Sequence, residues 1–307
     1  MAIASVISTG SHPKALWPGV HAWWGQMYDQ HPVEYPHLFD QLDSGLAFEQ
    51  DVEVTGFGLA PYKSEGGPGT YDSEIQGWIQ TYTHIAYFLG YIVTYEELRD
   101  NQYEKISNGR ASANAFSIVQ TVEQIAAGIY NDAFTGAVFQ TADGTTLASQ
   151  AHVNATGGTY ANSLYPSADL MEASLEDACI LAMGLQTDRN LFIQILPRSL
   201  IVPRQEWFDA NRILKSVLQP GTANNDINVL KATNAFPEGI VLNHYLTNPH
   251  AWFVRTTCPH GMQMFWRDRP MFDQDNDYDT KNAKAGTYMR LSAGCTDPRA
   301  LIASNGP

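Results

Sequence analysis

Residues 195–216 read ILPRSLIVPRQEWFDANRILKS, an apolar strand that runs through a proline straight into an amphipathic helix. Proline cannot donate to a sheet ladder, so a strand closes there. Three stretches follow in order: PEGIVLNHYLTNPHAWFVRT (237–256), MQMFWRDRPMF (262–272) and GTYMRLSAGCTDPRALIAS (286–304). Each is short, apolar and bounded by Gly, Pro or Asn, as buried strands are.

The chain upstream is organised differently. Residues 168–184 (ADLMEASLEDACILAMG) form an amphipathic helix with Leu170, Leu175, Ala178, Cys179 and Ala182 inward. Asp169, Glu172, Glu176 and Asp177 face water or the helix amino terminus, where acidic groups are favoured. Residues 136–166 are polar and glycine-rich. Their His152 has no second ligand nearby and reads as a hydrogen-bonding loop residue. Residues 108–134 place Ala115, Phe116, Val119, Val122, Ile125, Ala126, Ile129 and Tyr130 on one face at three- and four-residue steps. The pattern predicts a helix roughly 35 to 40 Å long. A polar helix (95–105) and an apolar strand (85–94) precede it. In residues 48–78, Val52 and Val54 alternate with acidic residues and Gly66, Gly67, Pro68 and Gly69 break the chain, which predicts a long hairpin with a mobile tip. That glycine run opens no helix with G-K-[ST], so it is no phosphate cradle. Residues 1–47 show no sustained period and read as an extended arm with short helical turns. Trp17, Trp23, Trp24, Tyr28, Tyr35 and Phe39 there either pack on their own domain or lie across a neighbouring subunit.

Composition sets limits. With 44% apolar residues in 307, the chain can build a large core. Its 18 basic and 32 acidic residues give a net charge of −14, so the molecule gains nothing from counterion release and is no sequence-specific nucleic-acid binder. Three widely spaced cysteines, Cys179, Cys258 and Cys295, argue against a disulfide framework and for a reducing compartment. The first residues lack a signal-peptide pattern, and no stretch is apolar enough for a membrane span.

The ordered set of motifs from Ile195 onward resembles the carboxy-terminal half of the Mu-like major head subunits of tailed bacteriophages. There, a strand ending in V-P feeds a helix of the form E-x-x-A-x-x-I-L. A W-F-V/L strand, an R-x-x-P turn and a last strand near G-x-x-D-x-R come next. The stretch DGTTLASQAH (143–152) is similar to that family's segment after its long helix. The resemblance implies an α+β, HK97-like capsid fold: an N-terminal arm (1–47), an E-loop hairpin (48–84), a peripheral domain (85–178) with a spine helix, an axial domain (179–258) and return strands (259–307). It implies a shell subunit without catalytic residues or cofactors, assembled in the host bacterial cytoplasm into a virion capsid. Hexamers and pentamers would enclose double-stranded DNA without sequence-specific binding and without a membrane. The partners implied are a separate scaffolding protein, since about a hundred residues precede the spine helix, a portal and a decoration protein. Trp17, Trp23, Trp24, Lys63, Glu65, Arg267, Arg269 and Arg290 become candidate subunit contacts.

Two constellations compete with that reading. Asp273, Asp275, Asp277 and Asp279 alternate as oxygen ligands, and the first three match the opening of an EF-hand loop. Tyr278 then stands where the turn glycine belongs and Lys284 where a glutamate is needed, which favours a solvated acidic turn over a calcium site. His244, His250, Cys258 and His260 supply zinc-type ligands, but H-x5-H-x7-C-x-H fits no structural zinc pattern. Two alternatives to a phage head remain at this stage: an encapsulin-type compartment with the same fold, and a soluble glycan-binding or hydrolytic protein rich in Trp and Tyr.

Overall fold

The computed structural model describes residues 17–99, 103–219, 226–280 and 282–306. Its elements run α1 (Trp17–Gln30), α2 (Tyr35–Leu38), β1 (Asp40–Asp43), β2 (Phe48–Val54), β3 (Gln76–Thr83), β4 (Ile85–Val93), α3 (Tyr95–Arg99) and α4 (Tyr103–Asn131). After these come β5 (His152–Val153), β6 (Thr159–Tyr160), α5 (Glu172–Met183), β7 (Pro197–Pro203), α6 (Trp207–Lys215), α7 (Val229–Ala232), β8 (Ile240–Asn243) and β9 (Trp252–Thr256). The chain closes with β10 (Met262–Asn276), β11 (Ala283–Cys295), a 3-10 turn (Pro298–Ala300) and β12 (Leu301–Ser304).

Two compact units result. The first holds residues up to Val33, His84–Glu123 and Trp266–Leu291. β11 pairs antiparallel with β4 in a register that sets Gly286 opposite Gly90, and the Phe88 ring covers both. A Cβ on Gly286 would come within 2.6 Å of that ring, so a larger residue there would have to displace Phe88. The core of this unit joins Trp24, Ala111, Ala115, Phe272 and Ala285. Asn114, buried on α4, ties four elements together. Its Oδ1 accepts from Trp24 Nε1 at 3.0 Å and from the Thr287 hydroxyl, while its Nδ2 donates to the Leu89 carbonyl at 2.9 Å. A buried amide satisfied on both ends fixes register as well as contributing stability.

The second unit holds Glu34–Thr83, Gln124–Phe265 and Ser292–Pro307. Its main sheet has the order β12-β9-β7-β8, with β8 parallel to β7 and the other pairs antiparallel. Every residue of β9 and β12 is buried, and all of β7 except Arg198. The apolar faces of α5 and α6 cover the sheet through Leu175, Ala178, Ala182, Ala210 and Ile213, which meet Leu200, Val202, Trp252 and Val254. The Trp252 indole is fully buried and donates to the Ala168 carbonyl at 3.1 Å. The five inward positions expected for α5 are all in this core.

Several expectations are corrected. Residues 17–30 are a single 14-residue helix, α1, where an extended arm with short helical turns was expected; Pro18 sits in its first turn, where the missing N–H costs nothing. Residues 1–16 of that arm, and the side chains of Trp17 and Trp23, lie outside the described residues. The chain divides within the long helix and the long strands, so residues 124–178, expected in a peripheral domain, fold with the main sheet. On α4, Phe116 is half exposed; Val119, Val122, Ala126, Ile129 and Tyr130 are buried as expected. Glu172, expected to face water or the helix amino terminus, stands at that terminus in the first turn of α5 and is buried there, and burial raises its carboxyl above the usual range.

Candidate assembly surface and its buried polar anchors

β2 and β3 pair antiparallel from Phe48↔Thr83 to Val54↔Gln76, with a register shift between Val52 and Val54. The connection between them, residues 55–75, contains no strand. It displays apolar side chains to solvent: Leu59, Tyr62 and Tyr71 are 82%, 93% and 96% exposed, and Phe57 and Val54 are exposed too. Lys63 and Glu65 are exposed beside them. A chain with a well-filled core gains nothing in its own fold by presenting such groups, and clustered exposed apolar residues mark interaction surfaces.

The base of this hairpin is anchored by polar contacts within the same unit. Trp78 donates to the Val153 carbonyl at 2.9 Å, and Arg189 donates to the Ser73 carbonyl at 2.6 Å. Asp51 meets His260 at 3.2 Å. Glu53 lies 3.5 Å from Arg299, which is only 4% exposed. That guanidinium also holds Asp188 at 2.7 Å, Asp297 at 3.3 Å and the Asn154 amide oxygen at 2.8 Å, and stacks 4.2 Å over the Tyr160 ring. A cavity of about 360 Å³ opens here, lined by Asp51, Glu53, Asp188, His260, Asp297 and Arg299 among others. Burial, together with the charges of Asp188 and Asp297, raises the Glu53 carboxyl from its ordinary 4.5 to about 7 despite Arg299.

A second polar cluster is complete in itself. His152 is fully buried, with Nδ1 2.8 Å from Asp143 and 2.9 Å from the Thr145 hydroxyl, and Nε2 3.1 Å from the Asn162 amide oxygen. Asn162 donates to the Leu147 and Pro298 carbonyls and accepts from the Ser149 N–H. Burial opposes ionisation of Asp143, but His152, Thr141 and the backbone outweigh it and hold its carboxyl well below the usual range. Every polar end has a partner and the imidazole is sealed from solvent, so His152 ties loops together. Its hydrogen-bonding role was legible; its partners Asp143 and Asn162 were not, although both stand within ten residues of it.

The other sequence candidates are dispersed. Trp24 is buried, stacks on Tyr28 and Phe272, and belongs to the core of its own unit, so it is no subunit contact. Arg269 lies 5.7 Å over the Trp266 ring, and Arg290 Nε reaches the His84 carbonyl at 3.5 Å. Asp273 and Asp275 lie on strand β10, not in a turn, and each accepts from the next residue's N–H at 2.8 Å. Lys284 places its ammonium 2.6 Å from Asp277. His244, His250, Cys258 and His260 turn to four separate acids, Glu34, Glu206, Asp297 and Asp51. Among the described residues no group of three or more His, Cys, Asp or Glu side chains converges as metal ligands.

Long helix, long-stranded sheet, β12-β9-β7-β8 sheet and exposed hairpin together define the HK97-like capsid fold. Solved structures share it: the capsid of the cyanophage P-SCSP1u (12% identity, 87% of this chain and 85% of that one, TM-score 0.52) and Mycobacterium phage Che8 (13%, 89% and 90%, 0.54). A virus-like particle from Pyrococcus furiosus is similar as well (10%, 94% and 98%, 0.53). The chain belongs to the phage capsid protein family, whose model matches residues 80–304. That match does not single out the Mu-like branch. No curated protein matches the sequence.

Proposed function

We propose that this phage capsid protein forms the icosahedral shell of a tailed bacteriophage head, as hexamers and pentamers that enclose double-stranded DNA. The observation that carries the reading is the β2–β3 hairpin, whose strand-free connection exposes Leu59, Tyr62 and Tyr71 almost completely. On this reading the hairpin is the E-loop, and its apolar groups are covered by an adjacent subunit. Lys63 and Glu65 at its tip meet charged partners next door, and Arg267, Arg269 and Arg290 remain candidates on the other side. Heterologous contacts that close by rotation give such rings. A net charge of −14 suits a container that encloses DNA without adhering to it. A scaffolding protein, a portal and a decoration protein would be its partners in the virion, with assembly in the host cytoplasm and no catalytic role for the subunit. The family match favours this reading over a cargo compartment, which the likeness to the P. furiosus particle alone would leave equally open.

Deletion of residues 63–71 tests it. The segment is exposed, and removing nine residues from a loop changes closure entropy by less than about 1 kcal/mol. The variant is expected to stay soluble, to unfold cooperatively and to yield no shells by light scattering. Normal particles from it would remove the E-loop assignment.

A further inference from the structure

Arg299 is over-supplied with acids. One buried guanidinium faces three carboxylates, from Asp188 on the loop after α5, Asp297 before the 3-10 turn, and Glu53 on β2. Asp188 at 2.7 Å and the Asn154 amide oxygen at 2.8 Å take its shortest hydrogen bonds, Asp297 follows at 3.3 Å, and Glu53 is the most distant of the three acids at 3.5 Å. Asp188 gives Oδ1 to Arg299, while its Oδ2, sealed from solvent, has no hydrogen-bond donor. Glu53 and Asp188 face the same guanidinium and line the same cavity. Two carboxylates cannot hydrogen-bond each other unless one of them carries a proton, and two adjacent negative charges in a partly buried site repel.

We propose that the Glu53 and Asp188 carboxyl groups share one proton, and that this proton fastens the base of the β2–β3 hairpin to the Arg299 cluster. Protonated Glu53 donates to Asp188 Oδ2, satisfying a buried acceptor that otherwise lacks a donor. Loss of the proton sets three charged carboxylates against one guanidinium and favours a detached base, where Glu53 would be solvated. The elevated carboxyl of Glu53 agrees with this, and fixes the sign. A group whose folded value lies above its ordinary one contributes attachment that is fully present below about 4.5 and is lost as pH rises to about 7.

Other charged and titratable groups face the same strand and cavity, and comparison with Glu53→Gln separates them from Glu53. Asp51, on the same strand, has His260 from the loop between β9 and β10, and Asp143 has His152. Tyr160 from β6 lies under the guanidinium, and its hydroxyl is pushed far above neutral pH by burial. Cys258, 3.3 Å from Asp297, is likewise pushed far upward by burial. Across the hairpin, Gly77 leaves room for the Glu53 side chain: a Cβ there would come within 3.0 Å of its Oε2. The inference concerns an isolated subunit and goes beyond the shell function proposed above.

Hydrogen exchange of the β2 amides in the full chain, corrected for the intrinsic pH dependence of exchange, tests it. Protection of β2 is expected to fall at least about tenfold between pH 5 and pH 7.5 and then to level off. In Glu53→Gln, whose amide donates to Asp188 at any pH, protection should vary less than about twofold over the same range. The Glu53 carboxyl resonance, assigned by its absence in Glu53→Gln, should titrate near 7. An equal fall in Glu53→Gln, or a Glu53 midpoint below 5 with constant β2 protection, would overturn the proposal. The variant keeps Arg299 and its two nearer acids, so loss of the fold is not expected to obscure the result.

Discussion

The β12-β9-β7-β8 sheet and the β2–β3 hairpin belong to the same unit and treat apolar side chains in opposite ways. In the sheet, Leu200, Trp252 and Val254 are sealed between helices and strands, and each side chain contributes its transfer free energy to this subunit's own stability. In the hairpin, Leu59, Tyr62 and Tyr71 stand in solvent and are attached to the unit chiefly by polar contacts at the base. On the proposed reading, stability and assembly are written into separate stretches. Mutations should divide accordingly, some unfolding the subunit and others leaving it folded but alone.

The sharpest test of the division is Trp252→Ala beside Tyr62→Ala. Loss of a fully buried indole, with its hydrogen bond to Ala168, should destabilise the subunit by about 3 to 5 kcal/mol in urea denaturation. Tyr62→Ala should shift stability by no more than about 0.5 kcal/mol and lower the yield of particles. Equal effects on folding would erase the contrast. Val122→Pro, in the fully buried middle of α4, should cost about 3 kcal/mol or more, because the ring removes a helical hydrogen bond and clashes with the preceding turn. An unchanged circular dichroism spectrum would mean that the long helix is dispensable.

Acid should act on the satisfied cluster rather than on the hairpin. Asp143 has a depressed carboxyl, so its contribution is present above its ordinary value of 3.8 and is lost as pH falls through the lower folded one. Thermal unfolding followed from pH 5 downward should show wild type losing more stability than Asp143→Asn, with the variant weaker at pH 7 by about 1 to 3 kcal/mol. The smallest expected effect is a gain. Nothing lies within 4 Å of a Cβ placed on Gly128 in α4, so Gly128→Ala should stabilise by up to about 1 kcal/mol, read as a raised urea midpoint.

What could be read from the sequence followed the strength of its period. α5 has a clear inward stripe, and Leu175, Ala178, Cys179 and Ala182 are buried as that stripe requires. Strand β7, closed by Pro203 and followed by α6, was legible because proline marks a boundary that few other residues mark. α1 was missed, since Pro18 and Gly19 with a crowd of aromatics break the pattern that a helix normally shows, and its stability comes from packing of residues such as Trp24. The Arg299 cluster was invisible for a different reason. Glu53, Asp188, Asp297 and Arg299 come from points up to 246 positions apart, and nothing about any one of them is unusual until the fold brings them together. The acidic run from Asp273 erred the other way: sequence proximity suggested a shared ligand site, and the extended strand keeps the carboxylates apart.

Electron microscopy of the purified full-length protein, concentrated over a range of salt, tests the central claim most directly. A shell subunit gives closed or tubular particles built of five- and six-membered rings, in which the chain around Leu59, Tyr62 and Tyr71 is covered by an adjacent copy. Monomers alone at every concentration and salt, with that chain still bare, would contradict it.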